Sequence, residues 1–284
     1  MKFINENILN VDDFKNLDKI YLPSDFRHYH IKNVYNHKED LKKSYINYIF
    51  FTKNYRLLDV PINSSIQKTG KKSFIEHYDN PKIFSDFIDN FREKNRSDFC
   101  YMCGGMNAGT LDHILPKDIY PEFSFFSKNL VPSCECNSKK NTNLSSALNP
   151  HFYQECDAEL YYLDIRNISE TNCQISFEFE IKVNNIPKIK EILENHLENH
   201  ILKYSNINNY MRNHISEMLM NPFDVFSIDE KMSRDEIKRS VNILLKGAKF
   251  QSKSENRWDV ILYKGFLANN VLDFIESKVN QKFL

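Results

Sequence analysis

The sequence predicts a helix-rich α+β fold. Toward both ends, long segments repeat apolar side chains at the 3.6-residue spacing of an amphipathic helix. Residues 158–165 and 173–183 are rich in β-branched and aromatic side chains and flank the polar run RNISETN, which predicts a hairpin. Between the helical parts lies a segment with closely spaced cysteines.

Residues 1–96 are predicted to be mainly helical. The stretch LKKSYINYIFFTKNYRLLDV carries apolar side chains at helical spacing from Tyr45 onward, and Pro61 ends the pattern. Residues 62–73 are polar and contain a glycine, which predicts a loop. A second amphipathic helix follows, with Pro81 near its first turn. Its apolar face comprises Ile83, Phe84, Phe87, Ile88 and Phe91.

Residues 156–284 are predicted to contain the hairpin and then return to helix. Four segments of this part carry the apolar stripe of an amphipathic helix. They span residues 186–204, 206–220, 233–248 and 265–279. We expect Trp258, Cys156 and Cys173 to be core residues, because free cysteine behaves as a small hydrophobe.

Composition and charge restrict the function classes. The 41% hydrophobic and 27% charged residues are typical of a folded globular protein rather than a disordered chain. The first residues lack a secretory signal, and no apolar run approaches the roughly 18 residues of a membrane helix. We therefore expect a cytoplasmic protein without a membrane partner. Because 38 basic residues balance 38 acidic ones, nucleic-acid binding would have to use local patches.

Four of the six cysteines form two close pairs, Cys100 with Cys103 and Cys134 with Cys136. In a reducing compartment this clustering favours metal binding over disulfides. Two pairs of thiolates are the ligand set of a structural tetrahedral zinc site, and soft thiolates prefer zinc to magnesium. The alternative is four unconnected buried thiols, which seldom occur in pairs this tight. The sequence therefore predicts a structural Zn²⁺ site.

Side chains suited to hydrolytic chemistry lie between and just after the cysteine pairs. Asp112 and His113 occupy a predicted short strand, so their side chains should point to opposite faces. Asn129 precedes the second pair and Asn137 follows it. Carboxylate and amide oxygens ligate hard cations, and an imidazole can take a proton from water. The alternatives are a structural histidine, a turn carboxylate and an asparagine at a helix start.

The stretch LDHILPKDIYPEFSFFSKNLVPSCECNSKKN resembles the HNH nuclease family, which has a ββα-metal fold with a zinc knuckle. It contains the Asp-His pair, an Asn-Leu pair and C-N-x-x-K at a helix start. The segment ALNPHFYQE is similar to one that follows the core in many standalone bacterial members. The resemblance implies a nuclease core at 97–155, between an N-terminal helical segment at 1–96 and a C-terminal α+β segment at 156–284.

The resemblance also implies roles for individual residues. His113 would be the general base that activates water, and Asp112 and Asn137 would hold one catalytic divalent metal, Mg²⁺ or Mn²⁺. Asn129 would tie down the loop and orient the histidine. Lys140 matches a trailing basic residue that would contact phosphate.

The activity implied is hydrolysis of DNA phosphodiester bonds, with a 5′-phosphate product. RNA remains an alternative substrate. Standalone proteins of this kind often serve phage defence or restriction, sometimes beside an ATPase, and that context rests on analogy alone. The competing class is a zinc-stapled module that binds nucleic acid or protein without turnover.

One departure from the family affects the zinc site. Relatives usually have C-x-x-C as the second pair, whereas this chain has C-x-C at Cys134 and Cys136. Either the shorter pair still binds zinc, or one of its cysteines is free and another ligand, such as Cys156, completes the site.

Two further patterns remain interpretations. Basic residues occur at Lys68, Lys71 and Lys72, and again between Lys231 and Arg257. Both groups could contact DNA, although charged helix faces are usually just solvated. His196 and His200 have the four-residue spacing of paired metal ligands, but we interpret them as a solvated helix edge.

Overall fold

The computed structural model describes residues 1–4, 11–20, 29–81, 85–94, 99–144, 148–168, 175–182, 187–226, 228 and 230–282. Within them the chain is helix-rich with two small antiparallel sheets, which confirms the predicted α+β class. Cys173, Ile83 and Phe84 fall outside the described residues. No helix in the described part of the chain is long and apolar enough to cross a bilayer.

In the described residues, the N-terminal part contributes six α-helices. They are α1 (Asp13–Asp18), α2 (Tyr29–Asn36), α3 (Lys38–Lys53), α4 (Ser64–Thr69), α5 (Lys71–Asp79) and α6 (Phe87–Lys94). The predicted face of α6 is buried at Phe87, Ile88 and Phe91.

The loop predicted at 62–73 is wrong, because α4 and the start of α5 occupy it. Asn63 caps α4 by accepting a hydrogen bond from the Ile66 backbone N–H at 3.1 Å. Ile66 and Phe74 are fully buried, so two apolar anchors outweigh the polar composition. Gly70 forms the corner, where an added Cβ would lie 2.4 Å from the Phe74 ring.

The central part is a short hairpin followed by a helix. Strand β1 (Thr110–His113) pairs antiparallel with β2 (Leu130–Ser133), and α7 (Cys136–Lys140) follows. The register sets His113 opposite Leu130 and Thr110 opposite Ser133. The connection at 114–129, which we call the central loop, contains two 3₁₀ turns at Pro121–Phe123 and Ser127–Asn129.

The C-terminal part begins with the second sheet, in which β3 (Tyr161–Arg166) pairs antiparallel with β4 (Ser176–Ile181). This confirms the predicted hairpin. The helices that follow are α8 (Pro187–His196), α9 (Ile207–Met220), α10 (Pro222–Val225), α11 (Arg234–Ser252), α12 (Trp258–Phe266) and α13 (Asn269–Lys282). Helix α8 continues through a π-helical turn at Leu197–Ile201 and a last turn at Leu202–Tyr204.

The sequence missed α12 and started a helix at 265 instead. Most of α12 is buried, including Trp258, Ile261 and Phe266, so it lacks the polar face that gives an amphipathic stripe. Helix α12 lies against β3: an added Cβ at Gly265 would lie 2.9 Å from the Leu163 carbonyl oxygen.

Buried hydrophobic residues from all three parts of the chain form one contiguous core. An aromatic cluster joins α3 to the central loop. Tyr45 stacks on Phe126 with ring centroids 4.1 Å apart, and Tyr48 meets Phe123 edge to face at 4.9 Å. These contacts hold the central loop against the N-terminal helices.

Candidate functional site

The four paired cysteines converge on one buried cluster. Their sulfur atoms all lie within 4.8 Å of one another. Cys100 Sγ is 3.7 Å from Cys136 Sγ, and Cys103 Sγ is 3.5 Å from Cys134 Sγ. The shorter C-x-C pair therefore brings both sulfurs into the cluster, and Cys156 is buried elsewhere.

The geometry of this cluster fits a structural zinc ion. A zinc–sulfur distance of about 2.3 Å in a tetrahedron gives sulfur–sulfur edges of about 3.8 Å, close to the distances observed. Backbone N–H groups of Cys103, Gly105 and Cys136 donate to cluster sulfurs, each at 3.4 Å. Such donors stabilise thiolates over thiols. The residues present form a buried four-cysteine site compatible with structural zinc.

The C-terminal helices hold the first cysteine turn. The Trp258 indole N–H donates to the Cys103 carbonyl at 2.7 Å, and His196 Nε2 donates to the Met102 carbonyl at 2.6 Å. Gly104 has a φ of +78°, and a Cβ there would lie 2.1 Å from the Asn256 carbonyl oxygen. Glycine is therefore required at this turn both by conformation and by space.

The interpretation of His196 and His200 as a solvated helix edge is wrong. Both side chains are fully buried, and their rings stack with centroids 4.9 Å apart. His196 continues the buried stripe of Ile189 and Leu193, and His200 follows one turn later, so both imidazoles lie on the inward face of the helix. Burial lowers the pKa of both imidazoles, to about 4 for His200.

Beside the cysteine cluster lies a polar cleft of about 290 Å³. Its walls come from the end of β1, the start of the central loop, helix α7 and the end of α5. The lining residues are Tyr78, Leu111, Asp112, His113, Pro116, Lys117, Asp118, Asn137, Ser138, Asn141 and Thr142. Three of the predicted site residues, Asp112, His113 and Asn137, are therefore brought together.

His113 is held in one orientation. Its Nε2 lies 2.9 Å from the Ser124 carbonyl oxygen, which can only accept, so Nε2 carries the proton. The other ring nitrogen, Nδ1, makes no hydrogen bond to a described residue. The Tyr78 ring meets the imidazole edge to face at 4.3 Å. Burial lowers the pKa of His113 to about 3, so the ring is neutral at physiological pH.

Asp112 contacts a different element. Both of its carboxylate oxygens accept hydrogen bonds from the Lys140 ammonium at 2.7 Å. Lys140 also donates to the His113 carbonyl at 2.9 Å. Burial raises the pKa of Asp112, and the Lys140 charge opposes that shift. The Asp112 side chain thus faces α7, whereas His113 faces the central loop.

Lys140 does not lie at the surface. Only 3% of its side chain is exposed, and its ammonium is occupied by Asp112 and the His113 carbonyl. This position differs from the phosphate contact expected from the sequence. The cause is local: Lys140 is the last residue of the five-residue helix α7, and its ammonium reaches Asp112 and the His113 carbonyl at the end of β1.

Asn129 lies outside the cleft but organises its wall. Its Nδ2 donates to the carbonyls of Leu115 and Phe123, at 3.0 and 3.2 Å. Its Oδ1 accepts from the Leu115 backbone N–H at 2.9 Å and from the Tyr48 hydroxyl at 3.1 Å. The amide therefore joins both ends of the central loop, which includes Ser124, the acceptor of His113.

Asn137 lines the cleft from the first turn of α7. Its Nδ2 donates to the Leu111 carbonyl at 3.3 Å, which orients the amide beside β1. Cys136 starts the same helix, so the cysteine cluster fixes where Asn137 lies.

No family model matches the chain, and no curated protein or solved structure matches it either.

Sequence reasoning missed three residues of this site. Tyr78 packs on His113 and donates its hydroxyl to the Leu111 carbonyl at 3.2 Å, but nothing in its sequence context indicates this. Ser124 contributes a backbone carbonyl, which leaves no residue-type signal. Lys117, in the motif LPK, contacts the Tyr78 ring at 4.4 Å and pairs with Asp79 at 2.8 Å.

The two clusters of basic residues noted in the sequence lie on different helices. Lys68, Lys71 and Lys72 line a groove of about 560 Å³ along α4 and α5. Lys71 pairs with Asp118 at 3.7 Å, so that groove adjoins the cleft. The second group lies mainly on α11.

Proposed function

We propose that the protein is a metal-dependent endonuclease of the HNH type that hydrolyses DNA phosphodiester bonds. The observation that carries the proposal is the fixed tautomer of His113. With Nε2 bound to the Ser124 carbonyl, Nδ1 has the free lone pair that a general base needs. Asp112 and Asn137 line the same cleft, which supports a common role.

His113 would take a proton from a water that attacks phosphorus. A pKa of about 3 makes the imidazole a weak base in the protein alone. A phosphate anion in the cleft would raise that pKa, because a nearby negative charge stabilises imidazolium. Base strength would therefore develop only when substrate is present.

Asp112 and Asn137 are the residues that would hold the catalytic Mg²⁺ or Mn²⁺. The bound cation would neutralise charge on the scissile phosphate and its leaving oxygen. A carboxylate has about four lone-pair sites, and Lys140 occupies two, so donors for a hard cation remain. Lys140 acts as a positioning residue whose charge favours the ionised form of Asp112.

Zinc in the four-cysteine site would act as scaffold. The Tyr101 backbone N–H donates to the Pro132 carbonyl at 3.1 Å, which joins the first cysteine turn to β2. Cys136 begins α7, the helix that carries Asn137 and Lys140. Zinc binding would thus fix the two elements that face His113.

DNA is the proposed substrate, and RNA is the alternative that the test must include. A role in phage defence or restriction, a cytoplasmic location and an ATPase partner are supported only by the sequence resemblance.

The test is nicking of supercoiled plasmid by purified protein with Mg²⁺ or Mn²⁺. We expect nicked circles in both metals, and none with EDTA or with His113→Ala. His214→Ala is the matched control, because His214 is 43% exposed and lies on α9. Cleavage by His113→Ala at the wild-type rate would exclude the assigned base. A labelled RNA strand run in parallel identifies the substrate class.

A non-catalytic zinc-stapled binding module is the second candidate. One observation favours it: Lys140 already neutralises Asp112, as it would in a purely structural pair. Metal-independent DNA binding without cleavage, by protein with full zinc content, would support this candidate.

A further inference from the structure

The outer face of α11 combines unpaired cations with exposed apolar side chains. Arg239, Ile243, Lys246 and Phe250 are spaced at i, i+4, i+7 and i+11, which places them on one side of the helix. Ile243 is 69% exposed and Phe250 is 84% exposed. We call Arg239, Ile243, Lys246, Phe250 and the C-cap residue Lys253 the α11 face.

The cations of the α11 face form no close ion pair within the described residues, although the Arg239 charge acts on Glu236, which lies about one turn before it. Arg239, Lys246 and Lys253 make no ion pair with a described residue, and neither does the adjacent Lys238. The acids Asp235 and Glu236 lie only in the first turn of the helix. The remaining length of the face is cationic and apolar.

Gly247 is a second, independent indication that another molecule approaches the α11 face. It lies in the middle of a 19-residue helix, where glycine destabilises the helix by roughly 1 kcal/mol relative to alanine. An added Cβ there would meet nothing within 4 Å, so no contact with the described residues requires glycine. Gly247 follows Ile243 by one turn and lies beside Phe250. A missing side chain at this place allows another molecule to approach the helix backbone closely.

The candidate cleft offers little unpaired positive charge. Lys140 is bound to Asp112, Lys117 to Asp79, and Arg92 to Asp89. With zero net charge overall, phosphate affinity needs local basic patches, such as the groove along α4 and α5 and the α11 face.

We propose that the α11 face is a docking site for a DNA strand with accessible bases, which rests on the proposed nuclease function. The cations contact successive phosphates, Phe250 and Ile243 lie against bases, and Gly247 lets the sugar–phosphate backbone approach. Charge complementarity selects this occupant, because a cationic row interleaved with an aromatic side chain matches single-stranded nucleic acid.

The probe is a fluorescently labelled 30-nucleotide single strand, with binding followed by anisotropy in EDTA from 50 to 200 mM salt. Lys246→Ala/Lys253→Ala should weaken binding about tenfold at low salt. It should also reduce the slope of log affinity against log salt by about 1.4, since each phosphate contact on a single strand contributes about 0.7. Phe250→Ala should weaken binding about tenfold through lost stacking, with the slope unchanged.

Helix α3 provides matched controls. Lys43 and Lys53 are exposed and make no ion pair with a described residue, and Phe50 is 58% exposed. Lys43→Ala/Lys53→Ala and Phe50→Ala should leave affinity and slope at wild-type values. Circular dichroism melts of all variants confirm that each is folded.

Three results would overturn the docking site. One is no binding by wild type at 50 mM salt, and another is equal effects of the α11 and α3 variants. The third is that the α11 variants keep the wild-type DNA affinity but lose another interaction. That interaction would be self-association, measured by sedimentation, or binding to anionic phospholipid vesicles. Plasmid nicking without DNA binding at the α11 face would support the nuclease function and refute the docking site. DNA binding at this face without His113-dependent nicking would support the docking site and refute the nuclease function.

Discussion

Lys140 holds both oxygens of the Asp112 carboxylate at 2.7 Å, and neither side chain is more than 3% exposed. This buried pair lies beneath the hairpin that carries His113. A buried ion pair is weak evidence for stability in itself, but removing one partner leaves an uncompensated charge. Removal of either partner is therefore expected to destabilise the cleft wall.

Lys140→Met should lower the free energy of unfolding by about 3 to 5 kcal/mol at pH 8, measured by urea denaturation. The loss should be smaller at pH 5. Burial raises the pKa of Asp112, and without Lys140 it rises further, so acid protonates the stranded carboxyl and relieves the cost. Lys139→Met is the control, because the Lys139 pair with Glu135 is exposed and should contribute less than about 1 kcal/mol. Equal losses in the two variants would contradict the prediction.

Asn129→Ala should lower stability by about 3 kcal/mol and also slow any nicking. The change strands the Leu115 N–H and two carbonyls, and each buried unsatisfied group costs about 1 to 3 kcal/mol. It also loosens the loop that holds Ser124 against His113. Hydrogen exchange at the Leu115 amide should accelerate before global unfolding. The exposed Asn209→Ala serves as control, and an unchanged Leu115 exchange rate would refute the loop-tying role.

One zinc ion per chain is expected by elemental analysis of protein purified without chelator. Cys136→Ser should lose it, because four thiolates close the site and three leave it open. Cys156→Ala should retain full zinc, since Cys156 lies outside the cluster. Zinc retained in Cys136→Ser would mean that the shorter pair does not contribute both ligands.

Glu122→Gln should stabilise the protein at pH 8 by about 3 kcal/mol. Burial raises the pKa of Glu122 from 4.5 to about 7. Between these values the unfolded chain releases a proton that the native state retains, so stability falls as pH rises through this window. The neutral amide removes that dependence. Urea titrations at pH 5, 6.5 and 8 measure it, with the exposed Glu198→Gln as control. If the free energy of unfolding changes equally with pH in the wild type and in Glu122→Gln, the raised pKa of Glu122 is disproved.

Much of the fold could be predicted because its signals are local. The hairpin β3–β4 followed from alternation in the second strand, and α6 and α9 followed from apolar spacing. Helix α12 could not be predicted in this way, since its burial on nearly all sides removes the periodicity. The loop expected at 62–73 failed because the packing of Ile66 and Phe74 is tertiary information.

Some residues of the candidate site could likewise be predicted from local sequence, whereas others depend on tertiary packing. The cysteines, Asp112, His113 and Asn137 stand out as residue types at informative spacing. The Lys140–Asp112 pair was not foreseen, because a lysine in a basic stretch gives no sign of burial. Tyr78 lies 35 residues before His113, and its position and that of the Ser124 carbonyl depend on how distant segments meet.

The Trp258 bond to the Cys103 carbonyl joins residues 155 positions apart. At roughly 5 to 20 residues per second of synthesis, Trp258 is added about 8 to 31 s after Cys103. Until then, the cysteine turn lacks its indole donor and the wall formed by Asn256. The finished geometry of the cysteine cluster therefore forms late in the synthesis of the chain, and a truncated product would carry the cysteines without the support that holds them.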